Sequence, residues 1–262
     1  MRLKQKMKQG PVFGFAIFTG ALSVIETVGN WGYDFVYLDV EHTSIGVGPE
    51  LERQIMAARL AGIPSVVRLT GTNEVDIRKT LEMGAEGVVI PHIRTRHEAA
   101  EIVRAAKFPP LGRRGAESNV RAAGFGGPGF SWQEYITRSN DESLIIPMAE
   151  DFEFADNVDD ILTVDGIDAI NFGPIDYSLS ANLPIGYKID HPSLIDAYRK
   201  IETRARAKGI GIMCPVVPAT QENARDMIAK GVNMLILGND MYHLQSAFKN
   251  IMTDCVEPIR RG

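Results

Sequence analysis

The 262-residue chain has little of several features that mark particular classes of protein. Only two cysteines are present, Cys214 and Cys255, so no disulfide framework is expected, and a reducing compartment, the cytoplasm, is predicted. No run of about 18 apolar residues occurs, which predicts that no segment spans a membrane. The basic N-terminal stretch is not followed by the apolar segment of a signal peptide.

The chain also lacks blocks of like charge. Its 28 Lys and Arg against 33 Asp and Glu give a net charge of −5, so nucleic acid is not expected as a partner. No GxGxxG stretch follows a predicted strand, and no Walker motif is present. An acidic protein that binds an anionic substrate needs a metal ion, an arginine or backbone amides to do so.

Short apolar runs alternate with amphipathic helical stretches along the whole chain. Eight runs rich in β-branched residues are predicted to be strands buried on both faces, at residues 12–19, 35–40, 65–69, 87–91, 143–150, 169–174, 210–215 and 234–239. Helices are predicted between them, for example at residues 49–61, 74–83, 96–107, 152–163 and 220–230. This order predicts a (β/α)8 TIM barrel that forms a single domain over residues 1–262.

One connection, over residues 108–140, is unusually long and rich in Gly, Pro and Arg. Long connections in compact domains are commonly lids or binding loops, although a disordered insertion is the alternative. The aromatic residues Phe125, Phe130, Trp132 and Tyr135 favour packing. The sequence therefore predicts an ordered, functional loop.

Polar side chains follow most of the predicted strands, where this fold places its chemistry. They are Asp39, Glu41, His42, Arg68, His92, Glu150, Asp151, Asp176, Asn239 and Asp240. Structural roles are open for several: Asp39 suits a turn, Asp151 a helix cap, and Arg68 an ion pair with Asp39 or Glu41. His92 is interpreted as a hydrogen-bonded rim histidine rather than a functional one.

Glu150 and Asp176 follow adjacent predicted strands, the fifth and the sixth. Two oxygen ligands suit Mg²⁺ or Mn²⁺, and zinc suits the pair less because no His or Cys accompanies it. Such an ion can bind a 2-oxo acid and stabilise its enolate. Arg68 can donate to the same substrate, and His42 is the natural acid or base.

Two further features define the expected chemistry. The turn at Gly173, Pro174 and Ile175 exposes backbone N–H groups that can hold a substrate carboxylate. The lysines of the chain lie in predicted helices or loops rather than at strand ends, which argues against an aldolase that works through an imine.

Several motifs together resemble the HpcH/HpaI aldolase family. They are LDVEHTSIG at residues 38–46, VVRLTGTN at 66–73, FPPLGRRG at 108–115, MAED at 148–151 and NFGPIDYS at 171–178. The resemblance covers nearly the whole chain, and the motifs occur in the family's order. It implies a class II aldolase that cleaves or forms a 4-hydroxy-2-oxo acid, with pyruvate and an aldehyde as the other side of the reaction.

The resemblance also implies roles for individual residues. His42 would accept the proton, Arg68 would stabilise the transition state, and Glu82 would raise the basicity of His42. Asp39, in the same motif as His42, is counted with the catalytic residues. Glu150 and Asp176 would bind Mg²⁺ or Mn²⁺, with Co²⁺ as a further candidate. The substrate site would comprise Arg68, Met148, Gly173, Pro174, Ile175 and Asp176.

The family likeness predicts a homohexamer, a dimer of trimers, with C-terminal helices exchanged between subunits. Two departures bear on the substrate: Met148 stands where many members have Gln, and LTGTN after Arg68 lacks a Trp of the dicarboxylate-cleaving members. Alternative functions are therefore oxaloacetate decarboxylation or a citrate-synthase-like condensation. A catalytically inactive barrel is the non-enzymatic alternative.

Overall fold

Eight strands and thirteen α-helices make up the computed structural model, which describes residues 2–261. The strands are β1 Val12–Ile17, β2 Phe35–Asp39, β3 Ser65–Arg68, β4 Gly87–Ile90, β5 Leu144–Ala149, β6 Ala169–Phe172, β7 Gly211–Pro215 and β8 Met234–Asn239. The helices are α1 Leu3–Gln9, α2 Leu22–Asn30, α3 Pro49–Leu60, α4 Glu74–Glu82, α5 Arg96–Ala106, α6 Trp132–Glu142, α7 Phe152–Asp156, α8 Val158–Ile161, α9 Pro174–Ser180, α10 Pro192–Ala207, α11 Gln221–Ala229, α12 Asp240–Ile251 and α13 Glu257–Arg261.

The strands form a closed barrel in the order β1 to β8, and every neighbouring pair is parallel. The predicted (β/α)8 fold is confirmed. Because all strands run the same way, their carboxyl ends share one rim, and β2 and β3 bring Asp39 directly opposite Arg68. Among residues 2–261, no helix is long and apolar enough to cross a membrane.

Alternating side chains fill the interior of the barrel. Phe35, Val66, Val89 and Ile146 belong to this inner cluster, which α1 closes at the amino ends of the strands with Leu3. Gly14 is paired with Phe35 on the neighbouring strand β2, and a Cβ at Gly14 would lie 2.3 Å from the phenyl ring. The interior of the barrel is therefore packed below the rim.

A second, larger cluster lies between the strands and the surrounding helices, with residues such as Ile55, Ile102 and Phe154 at its centre. The predicted helices lie where expected, within a residue or two at their ends, with one exception. The helix predicted over residues 152–163 is two short helices, α7 and α8, which are separated by Asn157. The Asn157 side chain donates to the Arg94 carbonyl at 2.9 Å.

The long connection at 108–140 is ordered, as predicted. It contains a 3₁₀ helix at Arg121–Gly126 and most of α6, and it has a small core of Phe108, Ala123 and Tyr135. The guanidinium of Arg114 lies 4.6 Å from the centre of the Phe108 ring. The connection joins the end of α5 to the start of β5, so it lies at the amino end of the barrel. It therefore does not cover this chain's own strand carboxyl ends, and its functional role stays a prediction.

Asn140 joins the two ends of this connection. Its side chain accepts from the backbone N–H of Phe108 at 2.8 Å and donates to the Phe108 carbonyl at 3.2 Å. Phe108 is buried, so its N–H has no access to water when the amide is removed, whereas its carbonyl still accepts from the N–H groups of Leu111 and Gly112.

We expect Asn140→Ala to lower the free energy of unfolding by about 1–3 kcal/mol, the cost of leaving the buried N–H of Phe108 unpaired. Urea unfolding followed by circular dichroism measures it. Asn119→Ala is the matched control, because exposed Asn119 bonds only to the nearby Glu117. Equal stability of the two variants would contradict the role given to Asn140.

Candidate active site

Arg68 ends β3 and is held by the residues that end β2. Its Nε donates to Asp39 Oδ2 at 2.7 Å, and its Nη2 donates to the same oxygen. Arg68 and Asp39 are both more than nine-tenths buried. Burial alone would lower the pKa of Arg68, but Coulombic interactions with Tyr37, Asp39 and Glu41 and the hydrogen bond to Asp39 raise that pKa above its ordinary value. The guanidinium is therefore a fixed positive charge at the rim.

Glu41 lies between Arg68 and His42. Its Oε2 is 2.9 Å from Arg68 Nη1 and 3.5 Å from His42 Nε2, yet the buried oxygen takes part in no hydrogen bond of good geometry. Burial raises the pKa of Glu41, against the opposing effect of Arg68. The backbone N–H of His42 donates to Asp39 Oδ1 at 2.7 Å. Asp39 thus fixes the chain at His42, whereas Glu41 faces the imidazole ring.

Glu150 follows β5 and is 2% exposed. Its Oε1 accepts from the backbone N–H of His92 at 2.8 Å, and the ring Nδ1 of His92 lies 3.4 Å from the same oxygen. The pKa of Glu150 is raised to about 7, chiefly by burial and also by the neighbouring charges of Glu41 and Asp176. The charge of Asp176 thus acts on Glu150, though less than that of Glu41 does, and the residues whose possible ligand atoms lie within 4.8 Å of one another are Glu41, His92 and Glu150.

Asp151 binds the ring of His92. Its Oδ2 lies 3.0 Å from His92 Nδ1, and its Oδ1 accepts from Arg94 Nη2 at 3.1 Å. Asp151 is the residue before α7, but its side chain makes no capping hydrogen bond, so the predicted capping role is wrong. The premise that no histidine accompanies the metal pair is also wrong, because His92 directly contacts Glu150.

The turn after β6 approaches Glu150 closely. A Cβ added to Gly173 would lie 3.2 Å from Glu150 Cβ and 3.5 Å from the end of Met148. The absence of a side chain at Gly173 therefore leaves room for both. Pro174 begins α9, so the N–H of Ile175 has no acceptor within the helix, and Asp176 lies in the first helical turn.

Glu82 does not lie at this site within the chain. It is the last residue of α4, at the amino end of the barrel, and its charge acts on Arg114 and Tyr135. Among residues 2–261, the acidic side chain that faces the His42 ring is Glu41. The role that the family likeness gave to Glu82 has no support from the contacts of a single chain.

Comparison with known proteins places this arrangement in a family. The model of the HpcH/HpaI aldolase/citrate lyase family matches residues 19–247. The chain belongs to this family. The 5-keto-4-deoxy-D-glucarate aldolase of Shigella dysenteriae serotype 1 is 32% identical over 228 residues, which cover 86% of this chain and 85% of the relative. Membership of this family and similarity to its named aldolases show that the chain is a lyase.

Solved structures of the HpcH/HpaI family share the fold over almost the whole chain. An HpcH/HpaI aldolase from Desulfitobacterium hafniense DCB-2 superposes with a TM-score of 0.89 at 27% identity, covering 98% of this chain and 97% of that one. The citrate synthase SbnG superposes with a TM-score of 0.82 at 28% identity, covering 98% and 99%. Related barrels of this family are thus named for more than one carbon–carbon bond reaction.

The carboxyl end of this HpcH/HpaI barrel has the donors that a divalent cation requires. Glu41, His92 and Glu150 each offer a ligand atom, and these atoms lie within 4.8 Å of one another. The carboxylates near the rim are Asp39, Glu41, Glu150, Asp151 and Asp176, and the arginines that contact them are Arg68 and Arg94. These five carboxylates outnumber the two arginines, and the buried Glu41 Oε2 has no hydrogen-bond partner among the described residues. A cation therefore fits these residues.

Sequence reasoning gave no functional role to three residues of this site. Glu41 was considered only as a partner of Arg68, although its position two residues after Asp39 already indicated the same face of the strand. Asp151 was interpreted as a cap. Asn171 is buried in the interior, where its Nδ2 donates to the Tyr37 hydroxyl at 3.4 Å. Only the alternation along β6 indicated that Asn171 points inward.

We expect Arg68→Met to lower the free energy of unfolding by about 3–5 kcal/mol, because it leaves the buried Asp39 carboxylate without its partner. Urea unfolding of EDTA-treated protein measures the loss. Arg94→Met is the control: the Arg94–Asp151 pair is partly exposed, so a loss of about 0–1 kcal/mol is expected. Similar small losses in both variants would contradict the conclusion that the buried Arg68–Asp39 ion pair stabilises the end of β2.

Proposed function

We propose that this chain is a divalent-metal-dependent aldolase that cleaves or forms a 4-hydroxy-2-oxo acid, with pyruvate and an aldehyde as the other side of the reaction. The observation that carries this proposal is the convergence of Glu41, Arg68, His42 and Glu150 at one rim. A buried arginine beside acidic residues suits a substrate that carries a carboxylate and develops negative charge on a keto oxygen.

Arg68 is placed to stabilise that charge. Asp39 engages its Nε and Nη2, and Glu41 lies near Nη1, so each Nη atom retains a second N–H for substrate. Because Asp39 and Glu41 hold the guanidinium before substrate arrives, little reorganisation accompanies the reaction. This preorganisation is the source of most electrostatic catalysis.

His42 is the proposed base. Its ring is 59% exposed at the rim, and Glu41 lies on one side of it, 3.5 Å from Nε2. In the cleavage direction, the imidazole takes the proton of the 4-hydroxyl group as the C3–C4 bond breaks. The bonding electrons pass to the 2-keto group, and protonation at C3 then gives pyruvate. In this chain, we assign to Glu41 the support of His42 that the family likeness gave to Glu82.

Glu150 and Asp176 would hold the cation, with Mg²⁺, Mn²⁺ or Co²⁺ as candidates. A bound divalent ion would supply Lewis-acid polarisation of the keto oxygen. Repulsion between the two carboxylates, part of the reason for the raised pKa of Glu150, is relieved when positive charge lies between them.

The substrate carboxylate is assigned to the start of α9. The N–H of Ile175 lacks a helical acceptor, and Gly173 and Pro174 shape the turn next to Glu150. Met148 is buried beside Gly173 and presents an apolar wall to the same region. The oxo acid would thus contact Arg68 on one side and this turn on the other.

Conservative variants of the two acidic ligands test the proposal. We expect Glu150→Gln and Asp176→Asn to abolish pyruvate release from 4-hydroxy-2-oxo acids, because each removes a negative charge from the cation site. Arg68→Ala should lower turnover by about 10²-fold or more, the scale of a lost oxyanion donor. A lactate dehydrogenase-coupled assay measures both. His97→Leu, on the exposed face of α5, is the control and should retain activity.

EDTA treatment of the wild-type enzyme completes this test. Activity should disappear on chelation and return with added Mg²⁺ or Mn²⁺. Pyruvate release that continues unchanged in excess EDTA would refute the metal-dependent mechanism.

Oxaloacetate decarboxylation or a citrate-synthase-like condensation is the second candidate. Met148, which cannot donate a strong hydrogen bond, and the similarity to citrate synthase SbnG favour it. Product analysis after incubation with oxaloacetate alone, and with oxaloacetate and an acyl thioester, separates these reactions from aldol cleavage.

We also propose that the enzyme is a homohexamer in which C-terminal helices pack on neighbouring subunits. Phe248, Ile251 and Ile259 on α12 and α13 are each more than half exposed in the single chain. Asp240 is the one buried residue in the described part of α12 and α13. The apolar side chains of these helices are therefore expected to pack on apolar side chains of a neighbouring subunit.

We expect the double variant Phe248→Glu and Ile251→Glu to dissociate the assembly, because two charges would have to be buried at the interface. Size-exclusion chromatography with light scattering should show six chains for the wild type and fewer for the variant. Asn250→Glu adds a charge on the other face of α12 and should leave the mass unchanged. A monomeric wild type contradicts the proposed assembly.

A further inference from the structure

We propose that His92 is a nitrogen ligand of the cation site, so that this enzyme prefers transition-metal ions such as Mn²⁺ and Co²⁺ to Mg²⁺. The inference rests on the proposed metal-dependent function and deepens it. It adds an imidazole to a site for which the sequence predicted oxygen ligands only.

The position of His92 is the first argument. It lies two residues beyond β4, and its backbone N–H donates to Glu150 at 2.8 Å. Its φ of 55° is in the left-handed region, which is costly for a residue with a Cβ by about 1 kcal/mol or more. Backbone strain of this kind persists where the surrounding contacts require it, and here the contact is with a proposed metal ligand.

The second argument is the hydrogen bond from the ring to Asp151. With Nδ1 bonded to the Asp151 carboxylate at 3.0 Å, the proton of a neutral imidazole lies on Nδ1 and the lone pair lies on Nε2. Histidine ligands of metals commonly donate their other ring N–H to a carboxylate in this way. Arg94 fixes Asp151 in turn through Oδ1 at 3.1 Å. Asp151, which makes no helix cap, thus orients His92.

The third argument is the direction of Nε2. This atom lies 4.0 Å from Glu41 Oε1, whereas Glu150 and Asp151 approach the ring at Nδ1. The ligand atoms of Glu41, His92 and Glu150 lie within 4.8 Å of one another. Two ligands of one ion lie at most about 4.4 Å apart, given bonds of about 2.0–2.2 Å. The 4.0 Å between His92 Nε2 and Glu41 Oε1 already falls within this limit.

Metal preference follows from the ligand type. Mg²⁺ favours oxygen ligands and keeps its waters, whereas Mn²⁺ and Co²⁺ accept imidazole nitrogen more readily. A nitrogen ligand should therefore increase the affinity for Co²⁺ and Mn²⁺ while changing that for Mg²⁺ little. The competing interpretation is that His92 is only a positive charge among Glu41, Glu150 and Asp151. In that case its removal would change the affinity for all divalent ions alike.

Isothermal titration calorimetry of the full-length, EDTA-treated enzyme distinguishes the two interpretations. We expect His92→Leu to weaken Co²⁺ and Mn²⁺ binding by about 10–100-fold and Mg²⁺ binding by less than about 3-fold. Asp151→Asn should weaken Co²⁺ binding in the same direction, because it releases the ring. His97→Leu, which removes an exposed histidine on α5, should match the wild type. An equal change for Mg²⁺ and Co²⁺ in His92→Leu overturns the proposal.

Pulsed EPR of bound Mn²⁺ gives a readout that does not depend on activity. The wild type should show a hyperfine coupling to imidazole nitrogen that is lost in His92→Leu and retained in His42→Leu. Loss of the coupling in His42→Leu instead, or its absence from the wild type, contradicts the assignment of His92. Glu150→Gln tests the underlying site: if this variant binds Mn²⁺ as tightly as the wild type, the proposed cation site itself is wrong.

Discussion

The negative charge gathered at the carboxyl ends of β2 and β5 is the constraint on which the functional end of the barrel depends. The packed rim shields the carboxylates of Glu41 and Glu150 from water, and this burial raises the pKa of both. Arg68 offsets part of this charge through Asp39 and Glu41. What remains uncompensated is suited to a divalent cation and to a substrate that such a cation can hold.

The barrel makes this arrangement possible because its apolar interior stabilises the fold while its rim carries the charged residues. Interior residues such as Phe35, Val66 and Ile146 form a packed core, and their apolar side chains need no hydrogen-bond partners. The free energy of that packing allows the rim to hold charges and a strained backbone that would be unfavourable alone. The left-handed conformation of His92 is one such feature, and it lies beside Glu150, where the chemistry is proposed.

Neighbouring strands, rather than neighbouring residues, determine the partners in this site. His92 comes from the β4 end, and both Glu150 and Asp151 come from the β5 end. The loop after β5 thus orients the imidazole ring that the loop after β4 supplies. Likewise Arg68 depends on Asp39 across the β2–β3 register. The proposed reaction and the proposed metal preference would therefore be coupled, because Glu41 contacts both Arg68 and His42 and is also one of the possible cation ligands.

The sequence by itself determined the eight strands, the order of the barrel and the set of charged residues at its rim, because burial on both faces leaves a continuous apolar pattern and polar residues can follow only where a strand ends. It also indicated Arg68, His42 and Glu150. The tertiary structure alone decided which groups meet. Asp151 bonds to His92 instead of capping α7, Glu41 faces His42, Glu82 lies at the opposite end of the barrel, and the long connection lies beneath the strands. Such pairings depend on the barrel's curvature and side-chain rotamers, which bring together residues far apart in the chain and leave no periodic signal in it.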